Sequence, residues 1–334
     1  MVSVIILNWN GATLLEEFLP SVVDNTPEGM AEIIVADNGS TDNSLQILKE
    51  KFPTVKVWAF GENLGFAGGY NKALSMTDSE YTVLLNSDVA VPRGWLEPLI
   101  DAMDENPELG ACQPKVLSYK NPTEFEYAGA SGGFLDRNGY PYCRGRIFGS
   151  IETDRGQYDT PIPIFWATGA ALMIRTELYR RVGGLDREFF AHMEEIDLCW
   201  RLRLAGYVIA AIPASRVFHL GGGSLPASNP RKTYLNFRNN LLLLHKNLPT
   251  RDVRATLFRR RLLDTLAWAK FILSLDFRNA AAILRAHRDF RTMRRAYTSH
   301  PDRNLLREPM SRTNILTAYY LRCIRRYSKL PSQN

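Results

Sequence analysis

Tyr81-Thr-Val-Leu-Leu-Asn-Ser-Asp-Val89 decides how the rest of the chain is read. Apolar and β-branched residues run without polar alternation into Asn86-Ser87-Asp88. A segment apolar on both faces suits the middle of a parallel sheet covered by helices. In open α/β sheets, ligands lie beyond the carboxyl ends of such strands. Asp88 is thus a carboxylate carried to the place where an α/β protein binds a ligand. Taken alone, the triplet fits a plain turn ahead of Pro92 better, because Asn, Ser and Asp all favour turns.

The upstream sequence repeats the pattern. Residues 2–7 form a β-branched apolar run that ends at Asn8-Trp9-Asn10-Gly11. Thr13 and Glu16 have capping-box spacing, which predicts a helix over 14–25. Residues 33–36 are a second apolar strand, ending at Asp37-Asn38-Gly39-Ser40-Thr41-Asp42. Thr41 or Asp42 then caps a helix over 43–51, and residues 55–58 are a third strand. Asn63-Leu-Gly-Phe-Ala-Gly-Gly-Tyr-Asn71 is a Gly-rich turn entering a helix to about Met76. Strand–helix alternation without polar alternation predicts an α/β fold with a doubly wound sheet. Parallel strands end on one edge, so the tips at Asn8, Asp37 and Asn86 define a single cleft.

Downstream, a helix is expected over 93–105 and a strand over 109–117. Residues 118–163 read as loops and short strands on the cleft's rim, and 164–174 as a strand. Thr176 is placed as the cap of a short helix ending at Gly183-Gly184. A helix with an acidic first turn starts at His192 and ends near Gly206. Residues 207–212 are a strand, and residues 216–219 run into Gly221-Gly-Gly-Ser224. Helical spacing resumes after Arg231, which divides the chain into residues 1–225 and a helical region over 226–334.

A length of 334 residues suits one large α/β domain with an appendage. The four cysteines form no CxxC pair, which argues against a zinc site or disulfide framework and fits a reducing cytosol. No signal peptide is expected. No apolar run reaches the roughly 18–20 residues of a membrane span; residues 262–275 are broken by Asp264 and Lys270. Residues 1–250 carry 22 Lys/Arg against 29 Asp/Glu, and residues 251–334 carry 19 against 6. This basic tail points to an anionic surface. No nucleic-acid recognition motif accompanies it, so a membrane face is the expected partner and nucleic acid is not.

The polar residues carry definable chemistry. Asp37, beside Gly39, can accept from a ribose hydroxyl or a pyrimidine N3–H, or simply close an Asx-turn. The Gly65/Gly68/Gly69 turn departs from GxGxxG, yet it can present backbone N–H groups to phosphate at a helix start. Asp88 and His219 offer oxygen and nitrogen ligands suited to Mn²⁺ or Mg²⁺. Such an ion would neutralise charge on a diphosphate leaving group. Glu194 and Glu195 are adjacent at a helix start, where neighbours face different ways, so at most one points into the cleft as a base for a sugar hydroxyl. The competing reading is stabilisation of the helix dipole.

Together these stretches resemble the inverting glycosyltransferases of family 2, with the GT-A fold, and within them the bacterial rhamnosyltransferase-like branch. The resemblance rests on residues 4–11, 37–42, 63–71 and 84–88, on Trp166-Ala-Thr-Gly-Ala170, Gly184-Leu-Asp-Arg-Glu-Phe-Phe190 and Glu194-Glu-Ile-Asp-Leu-Cys-Trp-Arg201, and on His219. It covers about residues 2–225. It implies that Asn8, Asn10, Asp37 and Asn38 meet the nucleoside, and that Asn63, Gly65 and Asn71 lie beside the diphosphate and ribose. Asn86-Ser87-Asp88 matches the metal-binding DxD, His219 a further metal ligand, Glu195 the general base, and Trp166 an aromatic near the acceptor. Two positions depart from the family pattern. Asn86 replaces the first Asp of DxD, and Glu195 stands where Asp is usual, which keeps Glu194 open as the base.

The resemblance implies a divalent cation and a dTDP-rhamnose or UDP-sugar donor. It further implies a lipid-linked saccharide acceptor in cell-surface polysaccharide synthesis, and a cytoplasmic enzyme resting on the inner membrane face. Two alternatives remain. One is a non-catalytic nucleotide- or saccharide-binding protein that kept the fold. The other is a nucleotidyltransferase, whose Gly-rich, Lys-containing loop is not what Asn8-Trp-Asn-Gly11 provides.

Overall fold

In the computed structural model, which describes residues 1–221, 229–297, 301–308 and 312–331, strand–helix units open the chain. They are β1 (Val2–Asn8), α1 (Ala12–Asn25), β2 (Ala31–Asp37), α2 (Ser44–Lys51), β3 (Lys56–Ala59), α3 (Gly65–Ser75) and β4 (Tyr81–Asn86). β1 lies parallel between β2 and β4, and β3 continues beyond β2. The register pairs Asn8 with Asp37 and Leu7 with Asn86, so the polar tips stand side by side. The unbroken apolar runs serve two cores. Val4, Ile6, Val83 and Leu85 pack with Leu15, Leu19 and Leu99 on one face. Ile5, Ile34 and Leu84 pack with Tyr70 and Leu74 on the other. Each buried aliphatic side chain contributes roughly 1.5–3 kcal/mol.

Beyond β4 the sheet becomes mixed. The elements that follow are β5 (Val89–Ala90), α4 (Glu97–Glu105), β6 (Leu109–Ser118), and β7 (Gly133–Leu135) with β8 (Pro141–Cys143). Then come β9 (Arg146–Ile147), β10 (Ser150–Ile151), β11 (Ile162–Ile164), β12 (Ala171–Arg175), α5 (Thr176–Arg181), α6 (Glu194–Leu204) and β13 (Val208–His219). The main sheet runs β11-β13-β6-β12-β4-β1-β2-β3, with β5 on β13. β12 is antiparallel to both β4 and β6, while β13 is parallel to β6. Strands β7 to β10 form a separate antiparallel sheet.

Three local expectations are corrected. Thr13 lies inside α1, whose cap position is Gly11; the Ala12 N–H is instead satisfied by Asp42 Oδ2 at 3.0 Å. Glu16 pairs with Lys51. Thr176 is the first residue of α5, and its hydroxyl meets that of Thr82 in the core at 2.7 Å. The strand expected over 207–212 runs on to His219 as β13, with an irregularity between Ile212 and Arg216. That irregularity accommodates Pro213, which has no N–H for the ladder. The boundary placed near residue 226 falls outside the described residues.

After β13, the α-helices among the described residues are α7 (Pro230–Asn247), α8 (Thr250–Leu273) and α9 (Phe277–Met293), followed by short helical turns. α7 enters the core, where Leu241, Leu242, Leu243 and Leu244 join the cluster that holds Trp200 and Leu202 of α6. α8 is built the other way round. It buries Asp252, Thr256, Arg260 and Asp264, and Arg260 bonds Asp264 at 3.1 Å while lying 3.7 Å over the Tyr140 ring. Its outer side carries Phe258, Leu262 and Leu266, which are 61, 55 and 68% exposed. Among the described residues, no helix is long and apolar enough to cross a membrane.

Candidate functional site

The tips of β1 and β2 are tied together by their own side chains. Asn8 Nδ2 donates to Asp37 Oδ2 at 3.0 Å and to Ser40 Oγ at 3.2 Å. The Asn10 N–H also reaches Ser40 Oγ, and Asn10 Oδ1 accepts from the Thr41 N–H at 2.7 Å. Next to this, Asn38 Nδ2 donates to Asn63 Oδ1 at 3.1 Å, and Asn38 Oδ1 accepts from the Leu64 N–H at 3.0 Å. Asn63 Oδ1 in turn takes the Gly65 N–H at 2.8 Å. Two glycines permit this approach. Gly39 has φ +77°, and a Cβ there would stand 2.6 Å from the Glu62 carbonyl carbon. At Gly69 a Cβ would meet Leu7 at 2.6 Å and the Asn38 amide at 3.2 Å. The result is a rigid, acidic-centred edge shaped by short polar side chains.

Asp88 and His219, 131 positions apart, meet because β5 pairs with the end of β13. His219 Nε2 lies 3.1 Å from Asp88 Oδ1, and its Nδ1 lies 3.4 Å from Glu126 Oε2. Burial opposes a charge on His219, but the carboxylates of Asp88 and Glu126 on its two sides outweigh it and raise its pKa to about 10. Glu126 was not legible in the sequence, since it lies in the irregular stretch before β7.

Among the described residues, no three His, Cys, Asp or Glu side chains converge into a ready-made metal cage. Asp88 Oδ1 and His219 Nε2 bond each other at 3.1 Å, and as an oxygen and a nitrogen donor they are the residues that would hold a divalent ion. Mg²⁺-like sites commonly use one or two protein ligands and complete the shell with water and substrate phosphate. A carboxylate on the far ring nitrogen, as Glu126 supplies, is the usual way to orient a ligating histidine.

A second edge, carrying Glu194 and Glu195, adjoins this one across a single turn. The Asn86 N–H donates to the Ala170 carbonyl at 3.0 Å. A Cβ on neighbouring Gly169 would stand 3.8 Å from Glu195 Cβ and 3.8 Å from Phe66 Cζ of α3. The turn over 168–170 therefore has the Asn86-Ser87-Asp88 tip on one side and Glu195 on the other. Burial pushes the Glu195 carboxyl up to about 7, against backbone N–H groups at the helix start that lower it. Glu194 is 6% exposed, and burial, then the Glu195 charge, hold its carboxyl well above the usual range. One carboxylate oxygen of each finds no hydrogen-bond partner among the described residues.

Two expected site residues face inward. Trp166 is 4% exposed, and its Nε1–H donates to the Phe134 carbonyl at 3.0 Å. Its ring fills the space left by Gly133, where a Cβ would come within 2.1 Å, so it offers no face to an acceptor. Asn71 pins a turn instead: Oδ1 accepts from the Leu185 N–H at 2.9 Å and the Tyr179 hydroxyl at 2.6 Å, and Nδ2 donates to the Leu185 carbonyl at 2.8 Å. Cavities of about 470 and 240 Å³ lie along α8 and touch none of these residues.

Comparison with known proteins agrees with this geometry. The model of glycosyl transferase family 2 matches residues 3–183. An N-acetylglucosaminyl-diphospho-decaprenol L-rhamnosyltransferase of Mycobacterium tuberculosis is 27% identical over 234 residues, which are 65% of this chain and 75% of that protein. An N-acetylgalactosaminyltransferase 4 of Drosophila melanogaster is 26% identical over 68% of this chain and 36% of its own length. Among solved structures, GalNAc-T7 with UDP, GalNAc and Mn²⁺ superposes with a TM-score of 0.56 at 18% identity, covering 74% of this chain and 48% of that one. The mannosyltransferase PcManGT of Pyrobaculum calidifontis, in complex with GDP-Man and Mn²⁺, gives 0.50 at 17% identity over 89% and 76%. The chain therefore belongs to glycosyl transferase family 2 and is a glycosyltransferase of the GT-A fold, similar to rhamnosyltransferases.

Proposed function

We propose that the chain moves rhamnose or a similar hexose, with inversion, from a dTDP- or UDP-sugar to a hydroxyl of a lipid-linked saccharide in cell-surface polysaccharide synthesis. The observation that carries this is the shared turn, which sets the Asp88 tip and Glu195 on its two sides. The relative that acts on a diphospho-decaprenol acceptor supports the acceptor class. In this reading Asn8, Asn10, Asp37 and Asn38 hold the nucleoside, while Asn63, the Gly65 N–H, Asn86 and Ser87 face the diphosphate and sugar. Asp88 and His219 would hold Mn²⁺ or Mg²⁺, which when bound neutralises charge on the departing diphosphate.

Glu195 accepts the acceptor hydroxyl's proton while that oxygen bonds the anomeric carbon on the face opposite the diphosphate. The bond from that carbon to the phosphate oxygen breaks, and its electron pair leaves with the nucleoside diphosphate. A carboxyl raised to about 7 by burial suits this proton transfer at neutral pH. Trp166, Glu194 and Asn71 act by shaping the site from within. Transfer assays with dTDP-rhamnose and UDP-sugars in Mn²⁺ test the roles. Glu195→Gln and Asp88→Ala should each lose most activity, and full activity in both would sink the assignment.

The reading also puts the helical region over 226–334 against the inner face of the membrane and the catalytic unit within 1–225. Outward Phe258, Leu262 and Leu266, interspersed with Arg254, Arg261 and Lys270, support it. Basic residues near anionic lipid add about 1 kcal/mol each.

A further inference from the structure

The turn that delivers Glu195 is strained. Among the described residues, eight non-glycine residues have positive φ, and three of them fall together: Phe190 at 64°, His192 at 69° and Met193 at 76°. Residues with a Cβ seldom adopt this region, and they keep it only where surrounding structure enforces it. Met193 is the cap position of α6, and Glu194 and Glu195 are its first residues. Any rotation of the turn is therefore passed directly to the glutamates.

The enforcement comes from α7, 45 positions downstream. Asn239 is fully buried, and its Nδ2 is aimed at three carbonyl oxygens: Phe189 at 2.8 Å, Ala191 at 2.8 Å and His192 at 2.7 Å. Its Oδ1 accepts from Arg238 Nε at 2.8 Å, which leaves only the amino end facing the turn. Arg238 Nη2 adds bonds to the Glu188 and Phe189 carbonyls at 3.0 and 2.9 Å. Two α7 residues one turn or more further on grip α6 itself: Lys246 Nζ and Asn247 Nδ2 each reach Asp197 at 2.8 Å. By contrast Asn240, equally buried, turns away from the turn and donates to the Gly139 carbonyl at 2.6 Å. An amide with two hydrogens directed at three carbonyls is a clamp for one backbone shape, and that shape is the strained one.

We propose that Asn239, oriented by Arg238, is a positioning residue that sets the pose of Glu195 through the 189–193 turn. The inference rests on the reading of Glu195 as the base. A misplaced catalytic group loses on the order of 100-fold in rate for a shift near 1 Å. Among the described residues, the hydrogen bonds of Asn8, Asn10, Asp37, Asn38 and Asn63 do not reach 189–193, so donor binding is expected to be left alone.

The test compares Asn239→Ala with Asn240→Ala, equal truncations of equally buried neighbours. Asn239→Gln, which keeps the amide donor, serves as the conservative variant. Each is assayed with dTDP-rhamnose, Mn²⁺ and a solubilised N-acetylglucosaminyl diphospholipid, and by amide hydrogen exchange over 187–197. Asn239→Ala should lose about 10- to 100-fold in kcat at unchanged donor KM, with faster exchange at 189–195. Asn239→Gln should recover part of the rate, and Asn240→Ala should change neither readout. Equal kcat losses in the two alanine variants, or unchanged exchange at 189–195 in Asn239→Ala, overturn the proposal. If Asn239→Ala does not fold, Asn239→Gln is read by the same split between kcat and KM and by the same exchange. Full activity of Glu195→Gln would instead sink the base reading and leave the exchange result standing.

Discussion

The two edges of the site are built on opposite principles. The nucleotide edge gathers Asn8, Asp37, Asn38 and Asn63, all within the first strand–helix units, and its side chains bond one another. The base edge draws Glu195 from α6, Phe66 from α3, Gly169 from the turn before β12 and a clamp from α7. Its carboxylates are left short of partners: Glu194 Oε2 and Glu195 Oε2 are buried without a hydrogen bond among the described residues. The first edge leaves one amide oxygen, Asn8 Oδ1, in the same state, but ties its other polar groups to one another. A base must be kept wanting a proton, and the structure around it has to supply the rigidity its own bonds do not.

Breaking the base edge should have the largest effect on rate. Glu195→Gln is expected to cost 10²- to 10⁴-fold in kcat, the usual worth of a general base, while calorimetry with dTDP and Mn²⁺ gives the wild-type Kd. A changed Kd would erase the separation between the edges. Asp197→Ala should cost about 3–5 kcal/mol in urea unfolding, because it removes the buried carboxylate that Arg201 and Lys246 both reach at 2.8 Å and leaves Lys246 with Asp186 alone. The nucleotide edge fails through shape. Gly39→Ala, with a Cβ 2.6 Å from the Glu62 backbone, should cost about 1–3 kcal/mol and raise donor KM more than it lowers kcat.

The pH profile sharpens the same comparison. In its proposed role as base Glu195 works only when deprotonated, and burial, opposed by backbone N–H groups at the helix start, holds it at about 7. Below that value kcat/KM should fall about tenfold per pH unit, and above it the acid limb should level off. A limb near 4.5 would mean that Glu195 is hydrated in solution. The smallest effect on stability is expected on the outside of α8. Leu262→Glu with Leu266→Glu should change folding by less than about 0.5 kcal/mol, yet abolish sedimentation with vesicles containing anionic lipid. Retained sedimentation would remove this face from the membrane.

Much of the nucleotide edge was legible because its signals are local. Apolar runs announced the strands, and each polar tip followed its strand directly. Local reasoning failed where another segment supplied the partner. Thr13 does not cap α1 because Asp42, across the edge, already satisfies the first N–H. Trp166 turns inward because Gly133, more than 30 positions away, leaves room for its ring. Glu126 carries no motif at all, and becomes meaningful only when β13 brings His219 beside it.

The sequence by itself determined the α/β sheet, the common edge of its polar tips, the chemical types available there and the basic end of the chain. These follow from periodicity, turn preference and charge, which are properties of short stretches. Tertiary structure decided which glutamate faces the 168–170 turn, that Asp88 meets His219, and that Asn239 holds the base loop in a strained shape. Each of those is a contact between segments remote in the chain, created by packing two cores against one sheet rather than by any local pattern.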